Sequence, residues 1–194
     1  MKKAWVLGAV IMLGSAGMGG ALLLEPAAPD PRVLAARKYF GDVTLVDQHG
    51  QRHRLYSDLL EGRVVVIHAF FTSCPHVCPT MSRKLLEVQE ALGERVGRDI
   101  RFLSVSVDPT TDTPGKLRDY AHRFDAGEGW MFLTGEKQDV ELALRKLGQY
   151  VDEPNNHTNI LLVGNERTGL WKKAMGLART EELVHLIRGV LDDG

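Results

Sequence analysis

The chain has 194 residues, a formal net charge of −1 and only two cysteines. After an apolar N-terminal stretch, about 160 residues remain, enough for one domain with a substantial hydrophobic core. The nearly balanced charge, with no block of basic residues, argues against nucleic acid as a partner.

The N-terminal segment predicts membrane targeting. Lys2 and Lys3 precede residues 4–24, which carry no charged side chain, and a bilayer-spanning helix needs about 20 apolar residues. We assign residues 1–25 to a single-pass membrane anchor, while the small residues at 17–21 leave a cleaved signal segment open. In both cases the lysines stay in the cytoplasm, which places the rest of the chain on the periplasmic or extracytoplasmic side of the inner membrane.

Residues 26–37 are predicted to form a linker, because three prolines between positions 26 and 31 favour a stiff, extended spacer. Residues 38–194 then form one domain. Its first elements are a β-hairpin over residues 42–55 that turns at Gly50 and packs on the edge of the domain.

Residues 64–71 form an almost unbroken run of β-branched and aromatic residues, which is typical of a buried central strand. Cys74 and Cys78 follow its C-terminal end. Pro79 is best accommodated at the first position of a helix, so we expect a helix from Pro79 to about Leu92 with Cys78 as its N-cap. The positive end of the helix dipole favours a thiolate, so Cys78 is predicted to be the more activated cysteine.

The spacing of the two cysteines suits a shared metal. Residues four apart on a helix hold their Cβ atoms about 5–6 Å from each other, whereas a disulfide needs about 3.5–4.5 Å. The pair is therefore expected to hold a metal when reduced and to close to a disulfide when oxidised. An inert structural disulfide is the alternative, although so short a loop does little to stabilise a fold. Export to an oxidising compartment means that a reduced pair needs a dedicated electron donor.

The remaining elements alternate between strands and helices, which predicts an α/β sandwich. Thr113 and Pro114 mark the start of one helix, and Thr180 opens the last. The predicted strands are residues 100–107, 130–133, 160–163 and 170–175, and the predicted helices are residues 114–124, 138–147 and 180 onward.

This order of elements resembles the thioredoxin fold, and particular residues resemble the Sco/SenC family. They are Cys-Pro-His-Val-Cys-Pro at 74–79, Val-Asp-Pro-Thr-Thr-Asp-Thr-Pro at 107–114, and a lone His157 ahead of the penultimate strand. The likeness covers roughly residues 38–192 and includes the anchor. Members of this family are anchored copper-binding proteins that assist assembly of the copper centre of cytochrome oxidase, or act as thiol-disulfide reductants for it.

The resemblance implies Cys74, Cys78 and His157 as ligands of Cu(I) or Cu(II). It implies the copper-bearing subunit of cytochrome c oxidase, or another exported thiol protein, as the partner. Two thiolates and one imidazole form a soft site that suits copper, whereas zinc requires a fourth ligand or an open water position. The chain departs from the family at His76, an extra ligand or an exposed loop residue, and at Asn156, where an Asp is common.

Three functions follow from these residues. The first is an anchored copper chaperone, and the second is a thiol-disulfide oxidoreductase in which one cysteine attacks and the other resolves. The third, a peroxiredoxin-like peroxidase, is disfavoured because Phe71 and Pro75 stand where a Thr or Ser precedes the peroxidatic cysteine.

Four other candidate residues of the domain have simpler structural interpretations. Asp108 and Asp112 either shape the loop beside the cysteines or close a turn and cap a helix. His68 and Met81 are interpreted as core residues.

Overall fold

The computed structural model describes residues 30–75 and 77–193. The predicted anchor or signal segment lies outside these residues, as does His76. Within the described part of the chain, no helix has the length and apolar character needed to cross a bilayer.

The domain is built on one seven-stranded sheet with the order β2-β1-β5-β4-β3-β6-β7. Strands β3, β4 and β5 are parallel, and the outer pairs are antiparallel. The strands are β1 (Thr44–Asp47), β2 (Arg52–Arg54), β3 (Val64–Phe70), β4 (Ile100–Ser106), β5 (Trp130–Thr134), β6 (Ile160–Asn165) and β7 (Leu170–Met175). All seven residues of β3 are buried, because helices cover both faces of the sheet there. This confirms the predicted central strand.

Helices lie on both sides of this sheet, which confirms the α/β sandwich. Side chains from α2, α4 and α6 pack with one face of β3, and side chains from α1 and α5 pack with the other. The helices are α1 (Pro31–Phe40), α2 (Val77–Leu92), α3 (Arg95–Arg98), α4 (Pro114–Arg123), α5 (Lys137–Lys146) and α6 (Thr180–Leu191). A π-helical turn covers Leu55–Leu60 and a 3-10 turn covers Pro154–Asn156.

Helix α1 overlaps the range 26–37 that the proline content assigns to a linker. Asp30 caps this helix by accepting a hydrogen bond from Arg32 N, and Pro31 takes the first helical position, where its missing N–H costs nothing. The buried Phe40 ring stacks 6.2 Å from the Tyr56 ring. The prediction of an extended spacer is therefore wrong from residue 31 onward, where the chain is helical and its end is packed on the domain.

The two predicted hairpins and the Thr113 cap of α4 are confirmed. The first hairpin, β1 with β2, turns at Gly50 with φ of +81° and forms one edge of the sheet. Thr113 caps α4 by accepting from Lys116 N, with Pro114 at the first helical position. Strands β6 and β7 pair as the second hairpin, directly before α6.

The backbone at Gly129 predicts a measurable difference between two glycine substitutions. A Cβ at Gly129 would lie 2.3 Å from Gly97 N, and φ is +87°. Gly50 has a similar φ, but no heavy atom of the described residues lies within 4 Å of its Cβ position. Gly50→Ala should lower the free energy of unfolding by about 1 kcal/mol from backbone strain alone. Gly129→Ala should lower it by at least about 3 kcal/mol, because the backbone must also shift. Urea unfolding of both variants measures the difference, and equal losses would contradict it.

Candidate metal centre

The cysteine pair lies where β3 leaves the sheet and α2 begins. Cys74 sits in the loop between them, and Cys78 in the first turn of α2. Their exposed fractions are 8% and 1%. The Cys78 N–H donates to Cys74 Sγ over 3.3 Å, so the helix start holds the two cysteines together. No disulfide joins them in this structure.

Helix α2 begins at Val77, two residues before the predicted start. Cys78 is therefore inside the helix and is not its N-cap. Pro79 fits there because first-turn N–H groups have no partner within the helix.

His157 reaches the pair from the loop that precedes β6. It ends the 3-10 turn Pro154–Asn156, just before β6, which pairs with β3. Its Nε2 lies 3.2 Å from Cys78 Sγ, and its ring meets the Phe71 ring edge-on at 5.3 Å. The topology therefore joins residues that are 79 positions apart in the chain.

A backbone carbonyl fixes the tautomer of His157. Its Nδ1 lies 2.8 Å from Pro154 O, and a carbonyl oxygen only accepts, so Nδ1 carries the proton. Nε2 then presents its lone pair toward Cys78, as a metal ligand must. The preceding Asn156 is exposed. The group that orients the ring is therefore the backbone oxygen of Pro154.

The three side chains fit a single metal ion. Their ligand atoms all lie within 4.8 Å of one another. Ligands bound at about 2.0–2.3 Å in a trigonal arrangement are about 4 Å apart, so the observed spacing matches one shared ion. Within the described residues, no other group of three or more His, Cys, Asp or Glu side chains converges in this way.

Burial favours the protonated form of Cys78. It raises the pKa of the Cys78 thiol well above its ordinary value, and the neighbouring Cys74 raises it further. The prediction that Cys78 is activated by the helix dipole is therefore wrong for the metal-free protein. A metal ion has to displace the proton, so binding at this site releases protons.

The residues interpreted as core residues are confirmed in that role. Met81 is buried in the cluster that contains both cysteines. His68 is buried on β3 with its Nδ1 3.3 Å from Ser104 Oγ, and Trp130 Nε1 donates to the same oxygen. Burial lowers the pKa of His68 to about 3, which keeps the ring neutral.

The two aspartates of the 107–114 motif separate into different roles. Asp108 closes a turn, since its carbonyl accepts from the N–H of Asp112 and its carboxylate accepts from Thr110 Oγ1. Asp112 does not cap α4, because Thr113 does. It accepts hydrogen bonds from Thr72 in the cysteine loop, which confirms the loop-shaping interpretation.

Two contacts of the site were not predicted from the sequence. The first is the Phe71 ring against His157, and the second is the Pro154 carbonyl. The apolar run that ends at Phe71 signals burial and no partner, and a backbone carbonyl has no sequence signature. Both contacts depend on how β3 and β6 are placed.

The fold and the site define a thioredoxin-like protein with a centre of two cysteines and one histidine. Residues 33–191 match the family model of SCO1/SenC. The chain belongs to this family.

Three similar proteins illustrate the relationship. The SCO2-like protein RC0895 of Rickettsia conorii is 36% identical over 104 residues, which are 54% of this chain and 48% of the relative. This chain thus matches about half the length of that relative. Yeast Sco1 with copper bound has a similar fold, with a TM-score of 0.66 and 23% identity over 79% of this chain and 92% of that one. BsSco, a member of the Sco family of cytochrome c oxidase assembly proteins, has a TM-score of 0.66 and 24% identity, with 80% and 94% covered.

The raised pKa of Cys78 predicts how stability depends on pH. An unfolded thiol ionises near pH 8.5, whereas Cys78 in the folded, metal-free protein stays protonated above that pH. The unfolded state then binds fewer protons, so the free energy of unfolding should fall above about pH 8.5, by up to about 1.4 kcal/mol per pH unit. Urea unfolding of the reduced protein between pH 7 and 9.5 measures this slope. The slope should be smaller in Cys78→Ala, and identical slopes would contradict the assignment.

Proposed function

We propose that this protein is a membrane-anchored copper chaperone that binds copper through Cys74, Cys78 and His157 and delivers it to the copper-bearing subunit of cytochrome c oxidase. The observation that carries this proposal is the 3.2 Å approach of His157 Nε2 to Cys78 Sγ, beside the second cysteine. Membership of the SCO1/SenC family supports the same conclusion.

The donor set favours copper as the cargo. Two thiolates and an imidazole are soft ligands that suit Cu(I), and they also hold Cu(II). A zinc site would need a fourth ligand or a bound water. In the described residues, the cluster contains these three side chains alone.

The geometry also suits release of the ion. Cys78 is buried, whereas His157 is half-buried at the end of a short turn. A ligand from an acceptor protein can therefore replace the imidazole first while the two sulfurs still hold the ion. The predicted anchor, which lies outside the described residues, would keep this exchange on the exported side of the membrane.

Replacing His157 tests the copper proposal. The full chain in detergent should bind one Cu(I) in an anaerobic titration against a competing chelator. His157→Ala should weaken binding by more than about 100-fold, above the 10- to 100-fold typical when only a residue that supports a ligand is lost. His185→Ala removes an exposed histidine of α6 and should bind like the parent. Binding that survives loss of both cysteines, or equal affinity in the two histidine variants, would contradict the proposal.

A second function, reduction of a disulfide in an exported protein, is favoured by the contact between the cysteines. Cys74 is the more exposed of the two and would attack the disulfide as its thiolate, forming a mixed disulfide and releasing one partner thiol. Cys78 would then attack Cys74 Sγ, release the second partner thiol and leave the Cys74–Cys78 disulfide. Two electrons pass to the partner, and an exported dithiol must later return them.

His157 separates the two functions. His157→Ala removes no sulfur, so thiol-disulfide exchange with a model disulfide should stay within about threefold of the parent while copper binding is lost. Stopped-flow kinetics with the reduced, metal-free protein measures the exchange rate. A parallel loss of exchange and copper binding would show that the imidazole also serves the redox step and would contradict this separation.

A further inference from the structure

One buried carboxylate ties the cysteine loop to the segment that follows β4. Asp112 has no exposed surface. It accepts a hydrogen bond from Thr72 N at 3.1 Å, another from Thr72 Oγ1 at 2.5 Å, and a third from Ser106 Oγ at 2.6 Å. The three donors come from the ends of the two central parallel strands.

This carboxylate is costly to bury. Desolvation raises its pKa, while the hydrogen bonds from Ser106 and Thr72 act in the opposite direction. Thr113, not Asp112, caps α4, and within residues 30–75 and 77–193 Asp112 forms no ion pair. Neither capping nor charge pairing therefore accounts for an acid at this position.

Thr72 connects this carboxylate to the candidate metal centre. It stands between Phe71 and Cys74. The Phe71 ring contacts the His157 ring, and Phe71 O accepts from Cys74 N at 3.3 Å. A carboxylate that holds both the N–H and the hydroxyl of Thr72 therefore fixes the backbone that orients Cys74 and Phe71.

We propose that Asp112 is a positioning residue, which clamps Thr72 so that Cys74 stays aligned with Cys78 and His157. The clamp acts first on the loop cysteine, because the backbone of Cys78 is held in α2. For metal binding, this inference rests on the proposed copper function. For the reactivity of Cys74, it stands without that function.

Two substitutions at Thr72 test the clamp without removing the acid. Thr72→Val removes the hydroxyl donor and keeps the size of the side chain, whereas Thr72→Ser keeps both donors. In the metal-free, reduced full chain, Thr72→Val should raise the rate of Cys74 alkylation by iodoacetamide about tenfold, the factor expected for one lost hydrogen bond to a carboxylate. Cys78 alkylation should not change, and Thr72→Ser should match the parent at both cysteines. Peptide mass spectrometry measures each cysteine separately.

A matched buried acid controls for loss of stability. Asp47 is also buried, and it accepts hydrogen bonds from His49, Gln51 and His53 of its own hairpin. Asp47→Asn should lower the free energy of unfolding and leave the ratio of Cys74 to Cys78 alkylation unchanged. Asp112→Asn, where it folds, should raise the rate of Cys74 alkylation at least as much as Thr72→Val.

Copper binding gives the second readout. The Cu(I) affinity of Thr72→Val should fall about tenfold, and that of Thr72→Ser should equal the parent's. The clamp is overturned if the two Thr72 variants behave alike, or if both cysteines react faster together, as global opening would produce. A parent that binds no copper contradicts the proposed function instead, and the alkylation ratio still decides the role of Asp112.

Discussion

The meeting of a cysteine and a distant histidine depends on one strand pairing. Antiparallel pairing of β3 with β6 brings the C-terminal end of β3 next to the N-terminal end of β6, so the residues after β3 and the residues before β6 lie at the same end of the two strands. Cys78 and His157 meet there. Because β3 is buried on both faces, core packing strongly specifies this register. The register in turn fixes the positions of Cys78 and His157 relative to each other.

The site has soft ligands, and the thiol of Cys78 is protonated when no metal is bound. Burial favours the thiol of Cys78 over its thiolate, and the Pro154 carbonyl, which accepts from Nδ1–H, leaves the lone pair of the neutral His157 ring on Nε2. In the metal-free protein the Nε2 lone pair of His157 already faces Cys78, whose thiol must lose its proton when a metal binds. This arrangement couples binding of a cation to proton release, and it protects the buried sulfur from reagents that need a thiolate.

Local patterns predicted much of this protein because its strongest signals are local. The apolar run of β3, the Thr113 cap of α4 and the Gly50 turn each follow from neighbouring residues, and the two cysteines with His157 followed from a family resemblance. The errors came from tertiary effects. Burial overrode the helix dipole at Cys78, packing of Phe40 accompanied a helix where prolines predicted a spacer, and the partner of His157 proved to be a backbone carbonyl.

X-ray absorption spectroscopy of the copper-loaded full chain tests the central claim most directly, because it counts the atoms around the ion. The account predicts two sulfur neighbours and one imidazole nitrogen, supplied by Cys74, Cys78 and His157. A first shell with only sulfur, or one with no sulfur, would show that the strand pairing of β3 with β6 does not build the copper centre.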